Sequence, residues 1–276
     1  MIIDGRKISQ EILQQLKSEV AALGFRPKLI DVFVGNDPVI ESYVNIKSRR
    51  AAEVGIDFEV CRLPNDISQE QLEQKVSELS GTKDLCGLIV QLPLPEHLDK
   101  QAVIDQIPPH LDVDMITSAN LGAFFAGQEK IVPATAAAIL KMIESVETDL
   151  TGKHVLVVGS GFLVGRPTSI LLMRKQATVT VANASTPDLK TLCLQADVIV
   201  SGTGSPGLLK ADMVSKNAIV IDAGTAESYQ GVIKGDVDFE LVEKVARAVS
   251  PVPGGVGPVT VAMLLNNVVE VAKGLK

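Results

Sequence analysis

The sequence predicts an α/β protein of two domains, an N-terminal α/β domain and a Rossmann-like dinucleotide domain, with a cleft between them. Three observations carry that expectation. The chain has 276 residues, more than a single hydrophobic core usually organises. Its first 120 residues alternate helix-periodic and strand-like stretches, the signature of helices laid on a sheet. From residue 153 onward, four apolar strands each end in a small or polar turn, and the first of these turns is glycine-rich. We place the boundary at residues 120/121. Residues 1–120, completed by a C-terminal helix over 259–276, form the first domain, and 121–258 form the second.

The elements of the first domain follow from local pattern. Residues 6–23 space Ile8, Ile12, Leu13, Leu16 and Val20 at helical intervals and stop at Gly24. Residues 28–34 read as a short strand. The next helix has both ends marked: Asp37 as N-cap, Pro38 at the first helical position, and Gly55 at the left-handed C′ position. Tyr43 and Lys47 lie four residues apart on one face of it. An amine works as an acid or base near neutral pH only where desolvation or nearby cations favour its uncharged form. The plainer alternative is a solvated helix whose lysine snorkels past a half-buried tyrosine.

Residues 58–63 make a second strand. Residues 68–79 make a helix with Ser68 and Gln71 as a capping box, and 87–92 a third strand. That strand is apolar until Gln91, as a parallel strand buried on both faces should be. Pro93-Leu94-Pro95 breaks it, which leaves Gln91 at a strand end where ligands sit in open parallel sheets, or as an incidental turn residue. Asp112 and Asp114 follow in a loop. Alternate residues of extended chain point apart, so a metal pair is disfavoured. An acid gripping an amide-rich ligand stands against ordinary turn or cap acids.

A helix over 133–146, rich in alanine at its start, is expected to link the domains. The strand at 153–158 then leads into Gly159-Ser160-Gly161-Phe162-Leu163-Val164-Gly165-Arg166, a phosphate cradle at a helix N-terminus. Its glycine spacing is one residue longer than the usual dinucleotide fingerprint. Strands at 177–181, 196–201 and 218–222 end in turns carrying Asn183-Ala184, Thr203-Gly204 and Thr225. A nicotinamide dinucleotide is the economical ligand. The position that would hold an acid for NAD or an arginine for NADP carries Asn183 and Ala184, and Arg166 could reach a phosphate or cap a carbonyl. After Gly235-Asp236-Val237 a helix is expected to run to Ala248. Residues 250–258, dense in proline and glycine, are expected to form a fixed irregular loop before a closing helix from Thr260.

Composition narrows the function. A net charge of −7 disfavours nucleic acid or an anionic membrane as partner. Three scattered cysteines form neither a disulfide framework nor metal-ligand spacing, and so no metal is expected. Met1-Ile2-Ile3-Asp4-Gly5 turns polar too soon for a signal peptide, and no apolar run reaches membrane-spanning length. A cytoplasmic protein is expected.

Several stretches together resemble the methylenetetrahydrofolate dehydrogenase/methenyltetrahydrofolate cyclohydrolase family over essentially the whole chain. They are Val34-Gly35-Asn36-Asp37-Pro38 with Ser42-Tyr43-Val44-x-x-Lys47, Val90 to Pro95, Asp112-Val113-Asp114, Gly235-Asp236-Val237, and Pro251 to Pro258. The resemblance implies a folate-binding catalytic first domain. It also implies a two-step reaction: hydride transfer from methylenetetrahydrofolate to NADP or NAD, then hydrolysis of the methenyl cation to 10-formyltetrahydrofolate. On the same basis Lys47 would be the acid/base of hydrolysis, Tyr43 would stack on the aminobenzoate ring, and Gln91 would tune Lys47. Asp114 would hold the pteridine, and Leu92, Pro95, Pro253 and Gly254 would border the folate. Gly159, Ser160, Gly161, Val164, Gly165, Arg166, Asn183, Ala184, Thr203, Gly204 and Thr225 would contact the dinucleotide. A homodimer is implied as well.

The sequence departs from the family pattern mainly around the cofactor. Met115 stands where glycine is usual after Asp-Val-Asp, which would crowd the pterin end. Residues 133–138 lack the usual Pro-Cys-Thr-Pro-x-Gly, and Ser160-Gly161, Asn183-Ala184 and Thr225-Ala226 replace the common pairs. Fewer groups remain for a 2′-phosphate, so NAD is expected to serve at least as well as NADP. Two other readings compete. In one, Tyr43 and Lys47 form a short-chain dehydrogenase pair, although there the glycine-rich turn precedes the pair. In the other, the chain is a cyclohydrolase alone or a binding protein that has lost chemistry.

Overall fold

The structure, a computed structural model, describes residues 1–227 and 233–275. In chain order it runs α1 (Gly5–Ala21), β1 (Lys28–Val34), α2 (Pro38–Val54), β2 (Asp57–Leu63), α3 (Gln69–Leu79), β3 (Leu85–Val90), α4 (Lys100–Ile104) and α5 (Ser118–Ala126). Next come α6 (Ala134–Glu144), β4 (His154–Val158), α7 (Gly165–Arg174), β5 (Thr178–Ala182), α8 (Leu189–Gln195), β6 (Val198–Ser201) and β7 (Ile219–Asp222). The chain closes with β8 (Ala226–Glu227), β9 (Ile233–Lys234), α9 (Phe239–Val242), β10 (Ala248–Val249) and α10 (Val256–Lys273). Two compact units result: Gln10–Ala134 with Val261–Lys276, and Met1–Ser9 with Thr135–Thr260. Lys276, the last residue of the expected closing helix, lies outside the described residues.

The first unit holds a parallel sheet of order β2-β1-β3. Its central strand is buried from Leu29 to Val34, so both faces must be covered. On one face Leu29 and Ile89 meet Ala51 and Val54 of α2 and Leu265 and Val268 of α10. On the other, Ile30, Val32 and Val34 meet Leu72 and Val76 of α3. Each fully buried side chain of this kind contributes about 1.5–3 kcal/mol. The caps of α2 form as expected: the Asp37 carboxylate accepts from the amides of Val39 and Ile40, and Gly55 is left-handed with φ 92°. Both halves of the Ser68/Gln71 capping box are present in α3. The buried Asn267 side chain of α10 donates to the carbonyls of Val113 and Val132, at 2.9 and 2.8 Å.

The second unit holds an all-parallel sheet of order β10-β7-β6-β4-β5, one strand more than expected. The extra strand replaces the end of the expected helix. Only Phe239–Val242 is helical, and Ala248–Val249 enters the sheet beside β7, fully buried. Burial next to β7 outweighs the local pattern that favoured helix. The proline- and glycine-rich segment is also more regular than expected. α10 starts at Val256, with Gly257 and Pro258 inside its first turn, where a missing amide costs nothing.

The division between units also differs from the expected 120/121. Residues 121–134 fall in the first unit, and Met1–Ser9 fall in the second. The N-terminus joins there by pairing with β10, through Ile3 N to Val249 O and Val249 N to Met1 O. Gly5 has no side chain because a Cβ would overlap the Gly255 carbonyl.

Candidate active site and nucleotide cradle

The site begins with the face that α2 buries, which is Val44, Lys47, Ala51 and Val54. At three- and four-residue intervals these form one stripe, so Lys47 occupies a core position and is only 7% exposed. Its Nζ donates to Gln91 Oε1 at 2.7 Å and forms an ion pair with the Asp31 carboxylate. Gln91 stands immediately after β3. Its amide donates to the Val32 carbonyl at 2.9 Å, and its side-chain Nε2 donates to the Leu92 carbonyl at 2.8 Å, which aims the amide oxygen at Lys47. The Leu92–Pro93 bond that follows is cis, and Pro95 lies partly buried beyond it. Tyr43, one turn before Lys47, is 37% exposed, and partial burial raises its phenol above the ordinary value.

The two acids of the loop after β3 separate in role. The Asp112 carboxylate accepts from the amides of Ile116 and Thr117 and from Asn120 Nδ2, so it shapes the loop. Asp114 is pushed up to about 6, first by burial, against the pull of Lys47, with Asp112 and Asp31 adding to the rise. Lys47, Asp31 and Asp114 therefore share one electrostatic site. Met115 follows with φ 61° while only 2% exposed. A left-handed backbone there explains why glycine suits that position. Among the described residues no cluster of three His, Cys, Asp or Glu side chains is placed to hold a metal ion.

The dinucleotide candidates form a cradle at the ends of β4, β5, β6 and β7. Gly159 has φ 106°, and a Cβ on it would strike the Gly202 carbonyl; a Cβ on Gly165 would overlap the Gly159 carbonyl. Those two glycines are demanded by the turn itself. Gly161 is not, since a Cβ there meets nothing within 4 Å, so the turn is open on that side to a ligand. Val164, the cap residue of α7, packs on Gly202. Arg166 caps a carbonyl, its Nε donating to Ser160 O at 3.1 Å. Asn183 folds back on its own turn, its Oδ1 accepting from the Ser185 amide, with Ala184 exposed beside it. Gly204 comes close to the Thr225 carbonyl, and the Thr203 amide donates to Asp236 Oδ2 at 2.7 Å. In this same unit Val252–Pro253 is cis, and Gly254, with φ 107°, lies against the Arg6 guanidinium.

Three residues that matter here carry no role in the sequence reading. Asp31 is fully buried beside Lys47. Asp236 binds the Ser201 hydroxyl and the amides of Thr203 and Ser205, which fixes the turn after β6. Asp222 accepts from the amides of Gly224, Asp236 and Val237. For Asp31 and Asp222 the available signal was an acid inside or ending a strand that is otherwise apolar, because such an acid needs partners to be buried; Asp236, in the bend after β9, has no such mark.

Fold and site define a class: an α/β protein that joins a Rossmann-type nucleotide unit to a smaller sheet unit carrying a buried, hydrogen-bonded lysine. The family profile described as the catalytic domain of tetrahydrofolate dehydrogenase/cyclohydrolase matches residues 3–114, and that of its NAD(P)-binding domain matches 133–276. The bifunctional protein FolD of Pelagibacter ubique is 43% identical, over 99% of this chain and 98% of its own. A crystal structure of the bifunctional enzyme FolD, methylenetetrahydrofolate dehydrogenase/cyclohydrolase, from Campylobacter jejuni superposes with a TM-score of 0.97 at 37% identity, covering 100% of this chain and 99% of that one. The Trypanosoma brucei enzyme, complexed with NADP and an inhibitor, gives 0.95 at 36% identity, covering 100% and 98%. The chain belongs to the tetrahydrofolate dehydrogenase/cyclohydrolase family.

Proposed function

We propose that the protein oxidises 5,10-methylenetetrahydrofolate with NAD or NADP and hydrolyses the resulting methenyl cation to 10-formyltetrahydrofolate. One observation carries the hydrolytic half: a lysine buried on the core stripe of α2, with its ammonium hydrogen-bonded to Gln91 at the end of a parallel strand. Lys47 is the acid/base that takes a proton from water and delivers one to the departing ring nitrogen. Gln91, an acceptor that cannot itself take the proton, fixes the direction of Nζ. Tyr43 offers a half-exposed ring one turn away for stacking on the aminobenzoate. Asp114, a carboxyl that burial holds near neutrality's lower edge, pairs with the amide and amino groups of the pterin. Leu92, Pro95, Pro253 and Gly254 are assigned to the folate on the family resemblance.

The nucleotide unit supports the oxidative half. Gly159 and Gly165 keep the turn narrow and Gly161 leaves it open, which suits a pyrophosphate approaching the N-terminus of α7. When bound, the nicotinamide supplies the hydride acceptor. Ser160, Val164, Arg166, Asn183, Ala184, Thr203, Gly204 and Thr225 line that approach in this proposal. A homodimer built through the edge of the nucleotide unit, in the cytoplasm, belongs to the same reading. No described helix is long and apolar enough to cross a membrane.

The test is direct. Protein is mixed with methylenetetrahydrofolate and NAD or NADP, and reduced nicotinamide is followed by absorbance while methenyltetrahydrofolate hydrolysis is assayed separately. Both activities are expected, and Lys47→Ala should remove hydrolysis from a folded protein. Undiminished hydrolysis in that variant would take Lys47 out of the mechanism.

A further inference from the structure

Asp31 is a carboxylate in the wrong surroundings for a purely structural residue. It lies at the middle of β1, fully buried, between Ile30 and Val32, with Val60 and Ile89 as register partners on the neighbouring strands. Its Oδ2 forms an ion pair with Lys47 Nζ, and its Oδ1 has no hydrogen-bond partner among the described residues. Burying a carboxylate this way is costly unless its charge is neutralised, and apolar residues of similar size commonly serve stability as well or better.

Lys47 is thus held between two oxygens of different chemistry. Gln91 Oε1 only accepts a hydrogen bond, whereas a carboxylate can also take the proton. The other titratable groups around the pair are Asp114 and Asp112, from the loop after β3, and Tyr43, one turn before Lys47 on α2.

We infer that Asp31 is a positioning residue for hydrolysis, acting through Lys47: it receives the ammonium proton so that Lys47 can present a free amine to water. The inference rests on the proposed acid/base role of Lys47. The first step breaks an N–H bond and forms an O–H bond, turning the ion pair into a neutral amine beside a neutral acid with no change in net charge. Water oxygen then bonds to the methenyl carbon, and its proton goes to Nζ, so the positive charge of the one-carbon unit ends on Lys47. As the carbon–nitrogen bond breaks, Lys47 gives a proton to the ring nitrogen and recovers one from the hydroxyl that becomes the formyl oxygen. The proton on Asp31 leaves to solvent, which is the single proton that hydrolysis of the cation releases.

Asp31→Asn keeps the shape and removes the proton acceptor. Methenyltetrahydrofolate hydrolysis is measured between about pH 6.5 and 9 with the buffer rate subtracted, alongside hydride transfer, which needs no activated water. Wild-type kcat is expected to be nearly flat. In Asp31→Asn it should fall about tenfold or more near pH 7, with KM within about threefold, and recover as pH rises, because solvent base must then take the proton that Asp31 takes in the wild type. Hydride transfer should persist. A loss that is uniform across pH, or no loss, overturns the inference. Asp31→Val, which suits an apolar strand, is assayed in the same way and should show the same pH-dependent loss if the Asn variant does not fold. Lys47→Ala separates the two layers. If it still hydrolyses substrate, the parent reading fails; if it is inactive while both Asp31 variants match wild type, only the role of Asp31 fails.

Discussion

Replacing Lys47 by Met leaves the shape of the side chain and deletes its charge. Asp31 then faces apolar strand residues with no cation against it. Removing one partner of a buried ion pair costs about 3–5 kcal/mol. Total stability is on the order of 5–15 kcal/mol, so the variant should still fold. The loss should also depend on pH. Burial already raises the Asp31 carboxyl above its ordinary value, and Lys47 opposes that rise; without Lys47 only the upward cause remains. A carboxyl whose folded value exceeds its unfolded value favours folding fully below the unfolded value, and that contribution is lost as pH rises through the folded value. The deficit should therefore stay near its low-pH value until pH passes the wild-type folded value, and then grow by about 1.4 kcal/mol per pH unit until the higher folded value of the variant is passed. Urea unfolding across that range measures it. Adding Asp31→Asn to the variant should recover about 2–4 kcal/mol near neutral pH. A deficit that is flat with pH and unrelieved by the second substitution would refute the reasoning.

Three further outcomes follow from the nucleotide unit. Gly161→Ala should leave stability nearly unchanged, within about 0.5 kcal/mol, yet weaken dinucleotide binding, whereas Gly165→Ala should destabilise by about 2 kcal/mol or more because its Cβ meets backbone; calorimetry with nucleotide titration distinguishes them. Burial pushes the Asp222 carboxyl up to about 6 against the pull of three backbone amides, with Asp236 adding to the rise. Its contribution to stability should fall by about 3 kcal/mol as pH rises from about 4 to 6, and Asp222→Asn should remove that slope in matched urea titrations. NAD should support hydride transfer at least as efficiently as NADP, since Arg166 is engaged with the Ser160 carbonyl and Asn183 with its own turn; a much higher kcat/KM with NADP would contradict this.

Features set by neighbours in sequence were legible. Asp37, Pro38 and Gly55 delimit α2 because capping is a matter of a few adjacent residues, and the Ser68/Gln71 box is equally local. The glycine-rich turn was legible as a cradle, although which glycines it cannot do without is decided by the carbonyls of Gly159 and Gly202. The stripe of Val44, Lys47, Ala51 and Val54 that makes Lys47 a core position was not drawn from the sequence, where Lys47 was set beside Tyr43 and a solvated lysine stood as the alternative. Its pairing with Gln91 came through family resemblance, since that contact joins residues on different elements. Asp31 was passed over as one polar letter in an apolar strand. The strand at Ala248–Val249 depends on pairing with β7, and the left-handed backbone of Met115 on a buried loop, and neither leaves a local mark.

The two ends of the chain are exchanged between its halves: the opening nine residues complete the later unit, and the residues from Val261 onward complete the earlier one. During synthesis, the half that emerges first must wait for the final helix to seal Leu13, Leu16 and Leu29 with Leu265 and Val268. A fragment stopped near residue 120 would carry that apolar wall bare, and one begun at 135 would leave Val249 without the strand partner that Ile2 and Ile3 supply. Dissecting the protein therefore calls for circular permutation, because a simple truncation damages the half it was meant to spare.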